Sequence, residues 1–279
     1  MTTAEAATRV AFTPYEISLC LFDVPRTRMW KEAIEDVVQP GDVVVDAGSG
    51  TGILGVFAAM NGAREVYCIE LHPRFVRLIE HLAARNGVAD RVHVVNADAS
   101  VWEPPSEVDV IICELLCTGQ FFEPQVQVMN HLRRFLRPGG HTVPRRVRSY
   151  LRLLDAQEMI YGVRIDCDSR SLVMDDDEPI STRAQYDEID FSRHNPSRVD
   201  TSVHVVGRRS APADAVLIEG EAELCEGLWT HTTKFLYNPE VIFLGHEVEL
   251  EADATYRVGV QYAYGGDTLD AKFDIRREG

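Results

Sequence analysis

The stretch VVVDAGSGTGILG (43–55) joins a run of valines to a glycine-rich turn. A short run of β-branched residues predicts a buried strand, and the segment GILGVFAAMNG (52–62) has the spacing of apolar residues that is typical of a helix. Gly48, Gly50 and Gly52 allow a tight turn between the two, and they let a ligand approach bare backbone closely. The stretch therefore predicts a strand, a nucleotide-binding turn and a helix of an α/β domain.

Strands and helices continue to alternate up to residue 143. Strand-like apolar runs occupy 65–70, 91–98 and 108–113, and helix-period segments occupy 73–87 and 123–140. Alternation of this kind predicts a doubly wound, parallel, Rossmann-like sheet. The triplet Pro138-Gly139-Gly140 is predicted to end the last helix, because proline and glycine commonly follow helix C-termini.

The sequence changes character after Pro144. Its segments become short, rich in β-branched and aromatic residues, and separated by turn residues. Examples are RVRSYLRLLD (146–155), AVLIEGEAEL (215–224), HTTKFLY (231–237) and YRVGVQYAY (256–264). This pattern predicts antiparallel β-structure, a barrel or a sandwich. We therefore expect two domains, a Rossmann-like domain over residues 1–143 and a β-barrel-like domain over residues 144–279.

Composition and charge exclude several functions. The 279-residue chain has a formal net charge of -16, and general nucleic-acid binding needs a basic surface instead. No apolar run reaches the length of a membrane span, and MTTAEAATRV (1–10) has no signal-peptide core. The six cysteines are scattered, which indicates reduced thiols of a cytoplasmic protein. Cys113 and Cys117 have no second pair nearby, so we predict no metal site.

The glycine turn fits two classes of cofactor. Gly50-x-Gly52-x-x-Gly55 satisfies the dinucleotide pattern, and Glu70 follows at the distance of an acid that accepts hydrogen bonds from a ribose. On this pattern alone, the protein could be an NAD-dependent dehydrogenase, or the turn could bind no ligand.

The surroundings of the turn favour S-adenosyl-L-methionine. Asp46 precedes the glycines, as in the nucleotide loop of class I methyltransferases, and its carboxylate suits the ammonium group of a methionine-derived cofactor. Asp98-Ala99 follows the third predicted strand, where an adenine partner is expected. A dehydrogenase of the NAD type would more often begin with its glycine loop and carry a second α/β domain.

Two glutamates lie nine residues apart in the apolar stretch CELLCTGQFFEP (113–124), directly after a predicted strand. A carboxylate in such surroundings is costly unless a cation, water or a hydrogen-bond donor offsets its charge. Glu114 and Glu123 therefore favour a cationic ligand. The alternatives are a helix cap or a wet cleft for Glu114, and a dipole-stabilised position before a helix for Glu123.

Four blocks of the sequence, taken in order, resemble the protein arginine methyltransferase family. The blocks are DVPRTRMW (23–30), DAGSGTGIL (46–54), the glutamates at 114 and 123, and Thr230-His231. They are similar to that family's D-x-x-R-T-x-x-Y element, its cofactor loop, its double-E loop and the start of its T-H-W motif. The resemblance extends over residues 20–275.

The resemblance implies S-adenosyl-L-methionine as cofactor and a helical lid at the start of the first domain. Arg26 would pair with the cofactor carboxylate, Glu70 would hold the ribose, and Asp98 would hold the adenine. The predicted cofactor contacts are Arg26, Asp46, Gly48, Gly50, Gly52, Glu70, Asp98 and Ala99.

The resemblance also assigns the substrate side. Glu114 and Glu123 would hold a guanidinium, and Asp23 and His231 would form a carboxylate–imidazole pair beside it. A guanidinium has a pKa of about 13.8 and is therefore a charged, poor nucleophile; two carboxylates can bind its planar fork and leave the remaining nitrogen freer to attack. The alternatives are a turn with a local ion pair for Asp23 and an exposed strand position for His231.

Several positions differ from the family pattern. Leu115 and Leu116 follow Glu114 where the family has tryptophan and methionine, Thr232 replaces the tryptophan of T-H-W, and no Y-F-x-x-Y lid is recognisable. The chain is also short at 155–180, where the family's dimerisation arm lies, so a homodimer is expected from the resemblance alone.

These differences lie around the substrate rather than the cofactor. We therefore predict a methyltransferase acting on a guanidino, arginine-like or other cationic nitrogen, in a small molecule or an arginine-containing substrate. The alternatives are a small-molecule O-methyltransferase with a carboxylate or hydroxyl acceptor, and a binding module without catalytic activity.

Overall fold

The structure is a computed structural model that describes residues 14–156, 159–164, 167–232 and 237–278. The start of the predicted lid and part of the predicted strand 231–237 lie outside these residues. Five α-helices are described, α1 (Pro14–Phe22), α2 (Val24–Val37), α3 (Ile53–Met60), α4 (Pro73–Arg85) and α5 (Gln125–Leu132). Among the described residues, no helix is long and apolar enough to cross a membrane.

Five strands form a fully parallel sheet, which confirms the predicted doubly wound fold. They are β1 (Val43–Ala47), β2 (Glu65–Glu70), β3 (Val92–Asn96), β4 (Val108–Cys113) and β5 (Leu136–Val143). Their order is β3-β2-β1-β4-β5, and β1 at the centre is buried along its whole length. Its valines and alanine suit a strand that is covered on both faces by helices.

The order of the strands fixes where a ligand can bind. The chain steps from β1 to β2 in one direction and returns to β4 on the other side of β1. In sheets of this kind, ligands bind beyond the carboxyl ends of the strands where the order reverses. The glycine turn after β1 and the acidic stretch after β4 meet at this point.

The predicted role of Pro138-Gly139-Gly140 is wrong. Helix α5 ends at Leu132, and the triplet lies inside β5 instead. The pairing of β4 with β5 moves from Val108 opposite Leu136 to Val110 opposite His141, so the extra residues form a bulge. Gly139 has a φ of 80°, a backbone conformation that glycine adopts at little cost.

The remaining strands are antiparallel, which confirms the change of character after Pro144. They are β6 (Arg146–Asp155), β7 (Met159–Ile160), β8 (Val163–Arg164), β9 (Ser169–Arg170), β10 (Glu178–Pro179), β11 (Ala184–Asp190), β12 (Arg198–Val206), β13 (Ala211–Cys225), β14 (Leu228–His231), β15 (Glu240–Leu250), β16 (Thr255–Ala263) and β17 (Lys272–Arg277). A seven-stranded sheet contains β6 and β13, and β12, β16 and β17 form a three-stranded sheet.

Candidate functional site

A cavity of about 510 Å³ lies at the carboxyl ends of β1, β2 and β4. Its volume is in the range of pockets that hold cofactors and drug-sized ligands. The described residues that line it all fall between Ile17 and Val128, in the Rossmann-like part of the chain. Most of them are apolar. The charged ones are Arg26, Glu70, Asp98, Glu114 and Glu123.

The glycine turn borders this cavity through Gly48 and Gly50, whereas Gly52 is not among the described lining residues. Gly48, Gly50 and Gly52 have φ values of 72°, 52° and 80°. A Cβ on Gly48 would lie 2.7 Å from a methyl carbon of Leu115, and a Cβ on Gly52 would lie 2.6 Å from Ile79. A side chain at either position would therefore combine backbone strain with a collision.

Glu70 lies at the end of β2 and faces the same turn. One carboxylate oxygen accepts a hydrogen bond of 2.8 Å from the Gly50 N–H, and the other accepts one of 2.8 Å from the His72 N–H. Burial raises the pKa of this carboxyl, while these backbone donors act in the opposite direction. Glu70 is thus held at the cavity edge.

Asp98 and Ala99 also line the cavity, after β3. The Asp98 carboxylate is exposed and accepts hydrogen bonds from the backbone N–H and the hydroxyl of Ser100, at 2.8 Å and 2.7 Å. Ala99 is buried. Both residues therefore lie at the cavity, in a loop that its own hydrogen bonds hold in place, and their contact with an adenine stays a prediction.

Asp46 lies behind the glycine turn and is not among the described lining residues. Its side chain is 1% exposed and accepts a hydrogen bond of 3.0 Å from the Gly55 N–H, in the first turn of α3. Burial raises the pKa of its carboxyl to about 7. In this position Asp46 fixes the turn, and its predicted contact with a cofactor ammonium group stays a prediction.

Arg26 and Glu114 form an ion pair inside the cavity. The two side chains are 16% and 17% exposed. Arg26 lies in the first turn of α2, and Glu114 directly follows β4. Burial alone would lower the pKa of Arg26, but the Glu114 carboxylate outweighs it and raises that pKa above its usual value. The cation predicted for the cofactor therefore has a protein partner here.

Glu123 has very different surroundings. Its side chain is 5% exposed, and no cation or hydrogen-bond donor from the described parts of the chain contacts its carboxylate. Burial, and secondarily the negative charge of Glu114, raise its pKa to about 8. It makes no capping hydrogen bond to α5, whose N-cap is Pro124. The structure thus brings both glutamates to one cavity and leaves the second without a cation.

Residues outside the predicted set hold the acidic stretch in place. The Thr118 hydroxyl donates to the Asn238 carbonyl, and the Gly265 N–H donates to the Gln120 carbonyl at 2.8 Å. The ring of Phe121 stacks on Tyr262 with centroids 4.3 Å apart. These contacts come from the β-rich half of the chain. They join residues that are far apart in sequence, so no local pattern could have identified them.

Gln120 has the unusual backbone conformation of this stretch. It is fully buried and has a φ of 57°. A left-handed conformation at a residue other than glycine costs about 1–3 kcal/mol and persists only where the surroundings impose it. Strain of this kind is common at functional sites, and it lies here between Glu114 and Glu123.

Asp23 and His231 do not line the cavity in the described structure. Asp23 is the N-cap of α2 and accepts a hydrogen bond of 3.3 Å from the Arg26 N–H. His231 is exposed on β14, opposite Glu221 of β13. No hydrogen bond joins Asp23 to His231 among the described contacts, so their predicted pairing stays a prediction.

Among the lining residues that were not predicted as site residues, Cys20 and Trp30 lie on the side of Arg26. Cys20 lies beside the ion pair, and burial raises the pKa of its thiol to about 11. Trp30, which replaces a tyrosine of the family pattern, is buried, and its indole N–H has no partner among the described atoms. The motif at 23–30, in which Trp30 takes the place of a tyrosine, was the sequence signal that could have identified Trp30 as a site residue.

Comparisons with known proteins agree with this geometry. Residues 23–144 match the ribosomal protein L11 methyltransferase (PrmA) family. An uncharacterized protein of Methanocaldococcus jannaschii is 31% identical over 257 residues, which cover 91% of this chain and 94% of the relative. Protein arginine N-methyltransferase 6 of Xenopus laevis is 31% identical over 160 residues, which cover 52% of this chain and 47% of the relative. The chain is thus similar to the arginine methyltransferases and shares their class I cofactor-binding fold.

Two more comparisons extend this similarity, one in sequence and one in fold. An arginine N(omega)-methyltransferase of Streptomyces achromogenes is 28% identical over 145 residues, which cover 50% of this chain and 40% of the relative. The solved structure of Arabidopsis thaliana protein arginine methyltransferase 10 has a TM-score of 0.78 at 16% identity and covers 98% of this chain and 99% of that one. The alignments therefore span less than half the length of the two arginine methyltransferase relatives, while the fold matches throughout.

This methyltransferase is an enzyme that uses S-adenosyl-L-methionine. The described cavity suits that cofactor, because bare glycine backbone, a held carboxylate at Glu70 and a guanidinium at Arg26 lie around one space of adequate size. The dehydrogenase alternative is thereby set aside.

Proposed function

We propose that this methyltransferase acts on a guanidinium or a similar cationic nitrogen. The observation that carries the proposal is the pair of glutamates, Glu114 and Glu123, in the cofactor cavity. Four described lining residues are acidic, and only Arg26 is an arginine or lysine. A cavity with this excess of carboxylates attracts a cation and repels an anion.

The chemistry of each glutamate follows from its surroundings. When bound, S-adenosyl-L-methionine supplies an electrophilic methyl group on a sulfonium sulfur. Glu114 and Glu123 would hold two edges of the guanidinium fork and draw its positive charge toward the contacted nitrogens. The third nitrogen then has a more available lone pair. Its bond to the methyl carbon forms as the carbon–sulfur bond breaks, and one nitrogen proton must leave.

Glu123 is suited to accept that proton. A base is most effective when its pKa lies near the working pH, and burial raises the pKa of Glu123 to about 8. Holding the acceptor in one orientation, with apolar walls that exclude water, contributes as much as the charges do.

Transfer to a carboxylate acceptor is not favoured. Such a substrate would bring a further carboxylate into a cavity that has four acidic lining residues and only Arg26 as an arginine or lysine, and Arg26 is already paired with Glu114. A hydroxyl acceptor would supply no cation to Glu123, which has none among the described residues.

The size of the acceptor is the finer part of the proposal. The relatives include one named for protein arginine and one named for arginine itself. Leu115 and Leu116 line the cavity where the family pattern has tryptophan and methionine, so the space next to Glu114 has a different shape. The predicted homodimer rests on the family resemblance alone.

The test is a transfer assay with methyl-labelled S-adenosyl-L-methionine. The acceptors are L-arginine, an arginine-containing peptide, agmatine, L-lysine, and a set of small carboxylic acids and alcohols. We expect label only in guanidino or amino compounds. Glu103→Gln, a change of the same kind at an exposed position, serves as the matched control for glutamine variants of the site. Label confined to acids or alcohols would refute the proposal.

A further inference from the structure

The cavity offers one guanidinium to two carboxylates. Arg26 is the single arginine or lysine among the described lining residues, and Glu114 already occupies it. The amino-acid tail of S-adenosyl-L-methionine brings a second carboxylate into the same cavity. In this protein the cofactor and the substrate-binding glutamate thus require the same cation.

The ion pair also occupies the Glu114 carboxylate that a cationic acceptor would need. A cationic acceptor that approached Glu114 would have to compete with Arg26 for the same carboxylate oxygens. Both side chains of the pair are largely shielded from water, so solvent cannot easily replace either partner. Glu123 offers no ready alternative, because its buried carboxyl holds a proton at neutral pH.

We infer that Arg26 exchanges partners when the cofactor binds. It breaks its ion pair with Glu114 and pairs with the cofactor carboxylate, which frees Glu114 for the cationic acceptor. This inference rests on the proposed function. It makes Arg26 a positioning residue for the acceptor as well as a cofactor contact. It also sets an order in which the cofactor binds first and the acceptor second.

A different arrangement is available to Arg26 and must be separated from exchange. The guanidinium has five N–H donors and could hold both carboxylates at once. Glu114 would then orient Arg26 toward the cofactor and strengthen its binding. Under exchange, Glu114 competes with the cofactor and weakens its binding. The two arrangements therefore predict opposite changes in cofactor affinity when the charge of Glu114 is removed.

The decisive measurement is the affinity for S-adenosylhomocysteine, by calorimetry, in the wild type and in Glu114→Gln. Exchange predicts that the variant binds about three- to tenfold more tightly, because the carboxylate that competes with the cofactor for Arg26 has been removed. Equal or weaker binding would overturn the inference. Neither result depends on which acceptor the enzyme methylates.

Two controls localise the effect to the carboxylate. The ligand 5′-methylthioadenosine has the same nucleoside and sulfur but no amino-acid tail, so its affinity should be equal in wild type and Glu114→Gln. Glu123→Gln removes a carboxyl group from the same loop, but this group is not paired with Arg26. The variant should change the affinity for S-adenosylhomocysteine less than twofold. A similar gain in either control would mean that general electrostatics, not exchange, causes the effect, and would overturn the inference.

The order of binding is tested with L-arginine as the guanidino probe. We expect the protein saturated with S-adenosylhomocysteine to bind it at least tenfold more tightly than the unliganded protein. Equal affinity in both states would overturn the exchange while leaving the proposed function intact. No binding in either state would refute the proposed acceptor, and the affinities of Glu114→Gln would still decide the exchange.

Discussion

Glu114 and Glu123 lie at the two ends of one loop, but the protein stabilises their side chains in opposite ways. Glu114 has a guanidinium partner in Arg26 and keeps a sixth of its surface exposed. Glu123 is almost completely buried and has no cation among the described residues. One carboxyl is balanced within the protein, and the other is balanced by holding a proton.

The comparison shows that two identical side chains can supply two different functions. Environments that separate the pKa values of paired acids often mark their separate roles in catalysis. Under the proposed function, Glu114 is the carboxylate that orients a cation, and Glu123, whose pKa burial raises to about 8, is the group that takes up and releases a proton. This division is the basis of the following tests.

The largest expected effect comes from removing either carboxyl group. Glu114→Gln and Glu123→Gln should each reduce kcat by about 10²–10³-fold, the range for losing one electrostatic contact to a reacting group. The measurement is a transfer assay at saturating cofactor. Glu103→Gln should retain wild-type turnover. Nearly full activity in either site variant would show that its carboxylate does not hold the acceptor.

The next effect is a dependence on pH that belongs to Glu123. Below a pH of about 8 its carboxyl is protonated, and a cationic acceptor must expel that proton in order to bind. The sign is therefore a rise of kcat/KM with pH, about tenfold per unit well below the pKa, and a plateau above it. Initial rates from pH 6 to 9.5 give the profile.

The comparison between the glutamates sharpens the pH test. A bound sulfonium cation favours the carboxylate form, so the midpoint of the rise should lie at a lower pH than the pKa of Glu123 in the unliganded protein. The residual activity of Glu123→Gln should lack the rise, whereas that of Glu114→Gln should keep it. A flat wild-type profile would contradict the assignment of the proton to Glu123.

Much of the sheet could be predicted from sequence because its signals are local. The runs at 65–70 and 108–113 coincide with β2 and β4, since a buried parallel strand is a short apolar segment between turns. The bulge in β5 was missed because proline and glycine inside a strand resemble a helix end. Their conformation is set by pairing with β4, which no local pattern shows.

The candidate site was predictable in its composition but not in its contacts. The glycine turn, Glu70 and the two glutamates were all found from spacing and family resemblance, and they line one cavity. The ion pair of Arg26 with Glu114 and the stacking of Phe121 on Tyr262 join distant parts of the chain. Such contacts depend on how the two halves pack together.

A smaller effect should follow from loosening that packing. Tyr262 lies under Phe121, and its hydroxyl is 2.8 Å from the hydroxyl of Tyr186. Tyr262→Leu should reduce kcat/KM for the acceptor by about five- to tenfold, because small displacements of a positioned group are costly. Affinity for S-adenosylhomocysteine should remain unchanged, since Glu70 and the glycine turn do not contact Tyr262. Tyr262→Phe should restore most of the activity.

The same strand provides a matched control. Tyr256 lies six residues before Tyr262 on β16, on the same face and equally buried, but it bonds to the Glu251 N–H instead. Tyr256→Leu should lower the melting temperature as much as Tyr262→Leu does, with kcat/KM near the wild-type value. Equal losses of kcat/KM in both variants would mean that Tyr262 supports only the general stability of the fold.

The smallest effect concerns the start of α2, from which Arg26 reaches Glu114. Asp23 accepts a hydrogen bond from the Arg26 N–H and caps this helix. Asp23→Ala should reduce the free energy of unfolding by about 1 kcal/mol, the usual contribution of such a cap, whereas Asp23→Asn should retain it because asparagine caps equally well. Thermal unfolding of the two variants measures the difference. If Asp23 instead acted with His231 as a charged pair, Asp23→Asn would fold normally but lose turnover. The activity of Asp23→Asn therefore decides between a structural and a catalytic role for Asp23. Normal turnover would mean that Asp23 acts as the cap of the helix that carries Arg26, the cation beside Glu114.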